Sequence, residues 1–227
     1  RVTFASVLDA NAGYLADQRL ATTVFLQSRL GKPVLLEGPA GVGKTQLAKA
    51  IANTVQGTNS RIQFTPDLLP SDVTGVTIYD QSTQQFSFKP GPIFATIVLA
   101  DEINRASPKT QSALLEVMEE SHVTVDGVRH DVSRPFMVIA TQNPIEQAGT
   151  YRLPEARLDR FLMKTSLGYP DHETMVELFS QAENRDRSAS ISPVIRAQDV
   201  AQLATFASGV HVDPAILAYV SRLTEES

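Results

Sequence analysis

Apolar and polar positions along the chain follow two regimes. Through residue 168, short apolar runs alternate with helical periodicities; from Pro170 onward only helical spacing remains. Residues 14–30 (YLADQRLATTVFLQSRL) space their apolar positions as a helix does and stop at Gly31. Pro33–Glu37 then reads as a buried strand entering a glycine-rich loop, and Thr45–Val55 as a helix closed by Gly57. Arg61–Thr65, Ile97–Ala100, Phe136–Thr141 and Leu162–Leu167 have the length and apolar content of further strands. Pro108–Glu120 reads as a helix, as do Thr174–Glu183, Ala197–Phe206 and Pro214–Glu225.

Two stretches depart from this alternation. Residues 66–92 are punctuated by Pro66, Pro70, Gly75, Pro90, Gly91 and Pro92, and are expected to be irregular. Residues 122–132 alternate around Asp126-Gly127, which predicts a β-hairpin. Strands alternating with helices, then helices alone, predict an α/β fold with a parallel sheet and a small helical domain after it.

Composition narrows the function classes. The 227 residues are 42% hydrophobic and 20% charged, ordinary for a globular protein. The net charge of −5 argues against a broad nucleic-acid-binding surface, which needs a clustered basic excess. No cysteine is present, which excludes disulfides, zinc fingers and cysteine nucleophiles. The four histidines, His122, His130, His172 and His211, have no metal-ligand spacing. Apolar runs fall far short of a membrane span and no signal peptide is visible, so a cytoplasmic location is expected.

The chemistry begins after the first strand. Gly38-Pro39-Ala40-Gly41-Val42-Gly43-Lys44-Thr45 satisfies G-x-x-x-x-G-K-[ST], with Gln46 following on the helix. Such a loop wraps a phosphate chain with backbone N–H groups and a helix N-terminus. Lys44 is expected to reach the β- and γ-phosphates of ATP, and the Thr45 hydroxyl to ligate Mg²⁺. Asp101 and Glu102 close the Ile97 strand. Asp101 is expected to hold Mg²⁺ through water, and Glu102 to act as the general base for the attacking water. Asn143 closes the next strand, where an amide can accept from water and donate to phosphate. Asp72-Val-Thr-Gly75 fits the D-x-x-G of GTPases but follows a loop, and the guanine-reading N-K-x-D is absent. The acidic residues Glu116, Glu119 and Glu120 read as a solvated helix face.

"ARLDRF", residues 156–161, sets Arg157 and Arg160 three apart, so that on a helix or tight turn they can share a face. Read alone, the segment is a surface turn whose arginines pair with Asp159 or Glu155.

In order, these elements resemble the AAA+ ATPases, and within them the MoxR family. The most specific stretches are "RIQFTPDLLPSDVTGV", "FSFKPGPIFATIVLADEINRASPKTQSALLEVMEE", "VTVDGV", "VIATQNPIEQAGTY" and "LPEARLDRFLM". The resemblance implies a P-loop core over 1–168 with a five-stranded parallel sheet in the order 5-1-4-3-2. It further implies a helical lid over 169–227, cut short at Ser227 before the family's sensor-2 arginine. Residues 66–92 match the insertion in helix 2 and 122–132 the pre-sensor hairpin, both facing the pore in related rings. Asn143 takes the sensor-1 position, Tyr14 and Leu15 lie where the adenine pocket begins, and Arg160 matches the arginine finger, with Arg157 a second finger or the partner of Glu155. A homo-oligomeric ring, usually a hexamer, is implied, with ATP between subunits. So are a von Willebrand factor A-domain partner, a protein client and chaperone-like remodelling. The alternatives are another ring ATPase of the branch (a magnesium-chelatase-like subunit or a helicase) and a nucleotide-dependent assembly scaffold.

Overall fold

The computed structural model describes residues 33–144, 150–169, 172–173, 175–176 and 191–225. Five strands form one wholly parallel sheet: β1 (Val34–Glu37), β3 (Asn59–Gln63), β6 (Ile97–Asp101), β9 (Met137–Gln142) and β10 (Met163–Ser166). Their spatial order is β10-β1-β9-β6-β3, which is the expected 5-1-4-3-2. The strands begin or end within two residues of the expected bounds, and the Pro108–Glu120 and Pro214–Glu225 helices coincide with them.

Short apolar runs become strands here because both faces of a parallel sheet are covered. Alternate residues serve opposite faces. Leu35, Val98, Ala100, Val138 and Ala140 pack with Phe64, Leu114 and Leu115 on the side of α3 (Pro108–Glu120). Val34, Leu36, Ile97, Leu99, Met137 and Ile139 pack with Leu47, Ala48 and Ile51 of α1 (Lys44–Thr54). The chain after the sheet rejoins this second cluster. β11 (Ile195–Arg196) pairs in parallel with β2 (Val55–Gln56), and α5 (Ala197–Ser208) buries Val200 there. In α6 (Pro214–Glu225) no residue is buried.

The expectation of irregular structure over 66–92 is corrected. That stretch holds α2 (Pro70–Thr74) and an antiparallel hairpin of β4 (Gly75–Asp80) and β5 (Gln85–Pro90). Pro70 starts the short helix, and the Asp72 carboxylate accepts from the Leu69 N–H at 2.9 Å. Gly75 sits at φ 100 where a Cβ would strike the backbone of Lys89 and Gly91. Both hairpin strands are largely exposed; Val76 and Ile78 alternate around Thr77, and Phe86 and Phe88 around Ser87, but this short signal is masked by the proline and glycine punctuation on either side.

The hairpin of β7 (His122–Val125) and β8 (Val128–Asp131) forms as expected, with Asp126 and Gly127 both at positive φ. Phe88 of β5 stacks on His130 of β8 with centroids 3.8 Å apart, so the two hairpins touch. The helix expected over 14–30 and most of that over Thr174–Glu183 lie outside the described residues.

Candidate nucleotide site

The site forms at the C-terminal ends of β1, β6 and β9, with β3 flanking it, where open α/β sheets place ligands. The loop of residues 38–43 runs from β1 into α1. A Cβ on Gly38 would collide with the Leu167 carbonyl after β10, and Gly43 caps α1 at φ 87. Both positions need glycine, the first for close approach and the second for the left-handed backbone. The Lys44 ammonium turns back onto the Gly38 and Pro39 carbonyls. It is a buried cation held by neutral acceptors of its own loop, which a phosphate would outbid. Thr45 follows Lys44 in the first turn of α1, while Ala40, Gly41 and Gln46 face solvent beside Pro39 and Val42.

Asp101, almost fully buried, lies across from the loop. Thr45 Oγ1 donates to its carboxylate, 3.1 Å from both oxygens. Thr141 Oγ1 donates to Oδ1 at 2.5 Å, and Arg61 Nη2 to Oδ2 at 2.6 Å. A hydroxyl facing a carboxylate suits a hard cation such as Mg²⁺, which takes oxygen ligands and keeps waters and phosphates in its shell. The residues present therefore fit Mg²⁺ with a bound nucleotide. Among the described residues, no group of three or more histidine or acidic side chains could hold a metal unaided.

Glu102 has a left-handed backbone, φ 56 and ψ 49, an uncommon conformation for a residue other than glycine. Its N–H donates to Thr141 Oγ1 at 2.9 Å, so one hydroxyl ties together both acidic residues. Its carboxylate accepts from Gln63 Nε2 at 2.7 Å and Arg105 Nη1 at 3.1 Å. Asn143, also buried, follows β9, and its carbonyl accepts from Asn104 Nδ2 at 3.0 Å.

Several of these residues were missed in sequence. Arg61 and Gln63 are two apart on β3 and share a face, and Gln63 pairs in register with Asp101. That polar-apolar-polar pattern beside a strand ending Asp-Glu was the available signal. Glu37 is another: its carboxylate accepts from Gln142 Nε2 and Lys164 Nζ, each at 2.8 Å, anchoring the strand end from which the loop departs.

The arginine pair needs correction. Arg157 lies in α4 (Glu155–Leu158) and Arg160 in the turn after it. Arg160 Nη2 pairs with Glu119 at 3.2 Å, so Glu119 is not simply a solvated residue of its helix face. Arg157 Nη1 reaches the Pro108 carbonyl at 3.3 Å and Gln111 Oε1 at 3.4 Å. The partners are thus neither Asp159 nor Glu155, and the two side chains do not converge. They engage stations on α3 about 12 Å apart along its axis, eight residues from Gln111 to Glu119. The sequence within the turn could not show this because α3 is distant in the chain. Tyr14 and Leu15 lie outside the described residues.

Residues 33–163 match the model of the ATPase family associated with various cellular activities (AAA). The chain is 50% identical over 194 residues to YeaC of Bacillus subtilis (strain 168), described as uncharacterized, covering 86% of this chain and 61% of that protein. It is 46% identical over 190 residues to Chaperone MoxR1 of Mycobacterium tuberculosis, covering 84% of this chain and 50% of the relative. A crystal structure of a putative ATPase from Cytophaga hutchinsonii superposes with a TM-score of 0.80 at 39% identity, covering 96% of this chain and 66% of that one. The chain thus spans half to two-thirds of the length of these relatives.

Proposed function

The chain belongs to the MoxR family of AAA+ ATPases, and from that premise we propose that it hydrolyses ATP at the interfaces of a homo-oligomeric ring to remodel partner proteins. The observation that carries the reading is Thr45 Oγ1 at 3.1 Å from both oxygens of Asp101, joining the phosphate loop to the end of β6.

The loop's N–H groups and the α1 N-terminus take the phosphates, and Lys44 exchanges the Gly38 and Pro39 carbonyls for phosphate oxygens. Thr45, and Asp101 through water, would hold Mg²⁺, which when bound would supply charge neutralisation on the phosphate oxygens. Glu102 leaves Gln63 and Arg105, accepts a proton from the attacking water and orients it. Asn143 positions that water from the neighbouring strand end. Arg160 leaves Glu119 to face a neighbour's γ-phosphate, and Arg157, held apart from it at Gln111, is the second arginine the segment presents to that neighbour.

We read 169–227 as belonging to a helical lid and the two touching hairpins as contacts for a protein client. One relative is named a chaperone, Chaperone MoxR1, and for this chain we propose chaperone-like remodelling together with a von Willebrand factor A-domain partner.

Glu102→Gln tests the reading. It keeps the side chain's size and its place as an acceptor but removes the base, so turnover is expected to fall about 10²- to 10⁴-fold. ATP binding, followed with a fluorescent analogue, and assembly, followed by light scattering, should persist. If the variant still matures its client, the protein is a nucleotide-dependent scaffold.

A further inference from the structure

Gln111 is fully buried in α3, yet it carries four polar contacts. Its Nε2 lies 3.2 Å from the Ile103 carbonyl, 3.1 Å from that of Ala106 and 3.1 Å from that of Tyr151. Its Oε1 accepts from Arg157. Ile103–Arg105 is the 3₁₀ turn that begins directly after Glu102. The same turn is held on its other side through Asn104, whose side chain donates to the Asn143 carbonyl and whose carbonyl accepts from the Tyr151 N–H at 2.6 Å. One amide therefore grips the backbone behind Glu102, the segment leading to α4, and the guanidinium of Arg157.

A buried amide could serve only to satisfy carbonyls. Two features go beyond that role. The carbonyls belong to separate segments, 103–106 and 151, which the amide locks at a fixed distance. Its remaining acceptor is then directed at an arginine rather than at another backbone N–H. Packed interiors switch between discrete arrangements rather than deforming smoothly, which gives such a link between the Glu102 turn and Arg157 a physical basis.

We propose that Gln111 is a positioning residue that couples the Glu102 turn of a subunit to the Arg157 it presents to its neighbour. The inference rests on the reading that the 157–160 arginines act on an adjacent subunit. It adds a physical route by which the state of one site is felt at the next.

The test uses Gln111→Met, close in shape and without the amide, in the full chain. kcat is expected to fall about 10- to 100-fold, as misplacement of a catalytic group by about 1 Å does. ATP binding and KM should stay within about twofold, since the phosphate loop is untouched. Mixing with Lys44→Ala subunits, which have a dead loop but intact arginines, should restore turnover in the Gln111→Met pockets.

Unchanged kcat would overturn the coupling. So would a loss that mixing fails to rescue while Arg160→Ala and Arg157→Ala are rescued, since Gln111 would then act within its own site. Failure of all three variants to be rescued instead removes the underlying reading that these arginines act in trans. If Gln111→Met does not fold, Gln111→Asn keeps an amide in the site but withdraws it by a methylene. It should show the same loss of kcat and the same rescue, and normal turnover by it overturns the proposal.

Discussion

β6 and α6 are both rich in apolar residues, yet every residue of β6 is buried and none of α6 is. β6 lies between β3 and β9 with apolar clusters on both faces. On α6, Ile216, Leu217, Tyr219, Val220 and Leu223 are each about half exposed. α5 stands between the two, with Val200 fully buried and Phe206 77% exposed. An apolar side chain gains roughly 25 cal/mol per Å² only when something removes it from water, so similar composition contributes very differently in the two regions. The core also buries the Asp101–Thr141 hydrogen bond, and apolar packing around it keeps water from competing. Stability and chemistry are thus concentrated at the sheet, while the C-terminal helices hold to it through few residues.

The largest effect should come from the core. Phe64 is fully buried beside β6, and Phe64→Ala should destabilise by about 3–5 kcal/mol in urea unfolding. A loss below about 1 kcal/mol would mean that the sheet is no more tightly packed than the helices after it.

Thr141→Val should come next. It keeps the shape but removes the hydroxyl shared by Asp101 and the Glu102 N–H, at a cost of about 1–3 kcal/mol for buried groups left unpaired. Because both acidic residues lose a partner, turnover should fall along with the unfolding midpoint. Normal turnover in a destabilised variant would confine the hydroxyl to a structural role.

The smallest effect is expected from Leu217→Ala, within about 0.5 kcal/mol, as for exposed positions generally. A cost of about 2 kcal/mol or more would place the residue under cover in solution and abolish the contrast between β6 and α6.

The sequence by itself determined the local devices. The phosphate loop, the Asp-Glu at the end of an apolar strand, the Asp-Gly hairpin and the bounds of α3 and α6 were all legible. Each depends on residues within a turn or two of one another, where periodicity and backbone preference speak directly. The strand order came from family resemblance rather than periodicity, and the parallel pairing then agreed with it.

Tertiary structure decided the rest. The β4–β5 hairpin was hidden by the prolines and glycines that flank it, because its alternating strands are short, largely exposed and owe their form to each other. Arg61 and Gln63 joined the site only when β3 came to lie beside β6, which set them against Asp101 and Glu102 some 40 residues away. The arginines of "ARLDRF" shared a face on paper, but α3 offered them separate partners, Gln111 and Glu119. Helical and strand periods report which way a side chain leaves its own backbone, and nothing in them says what will be standing there.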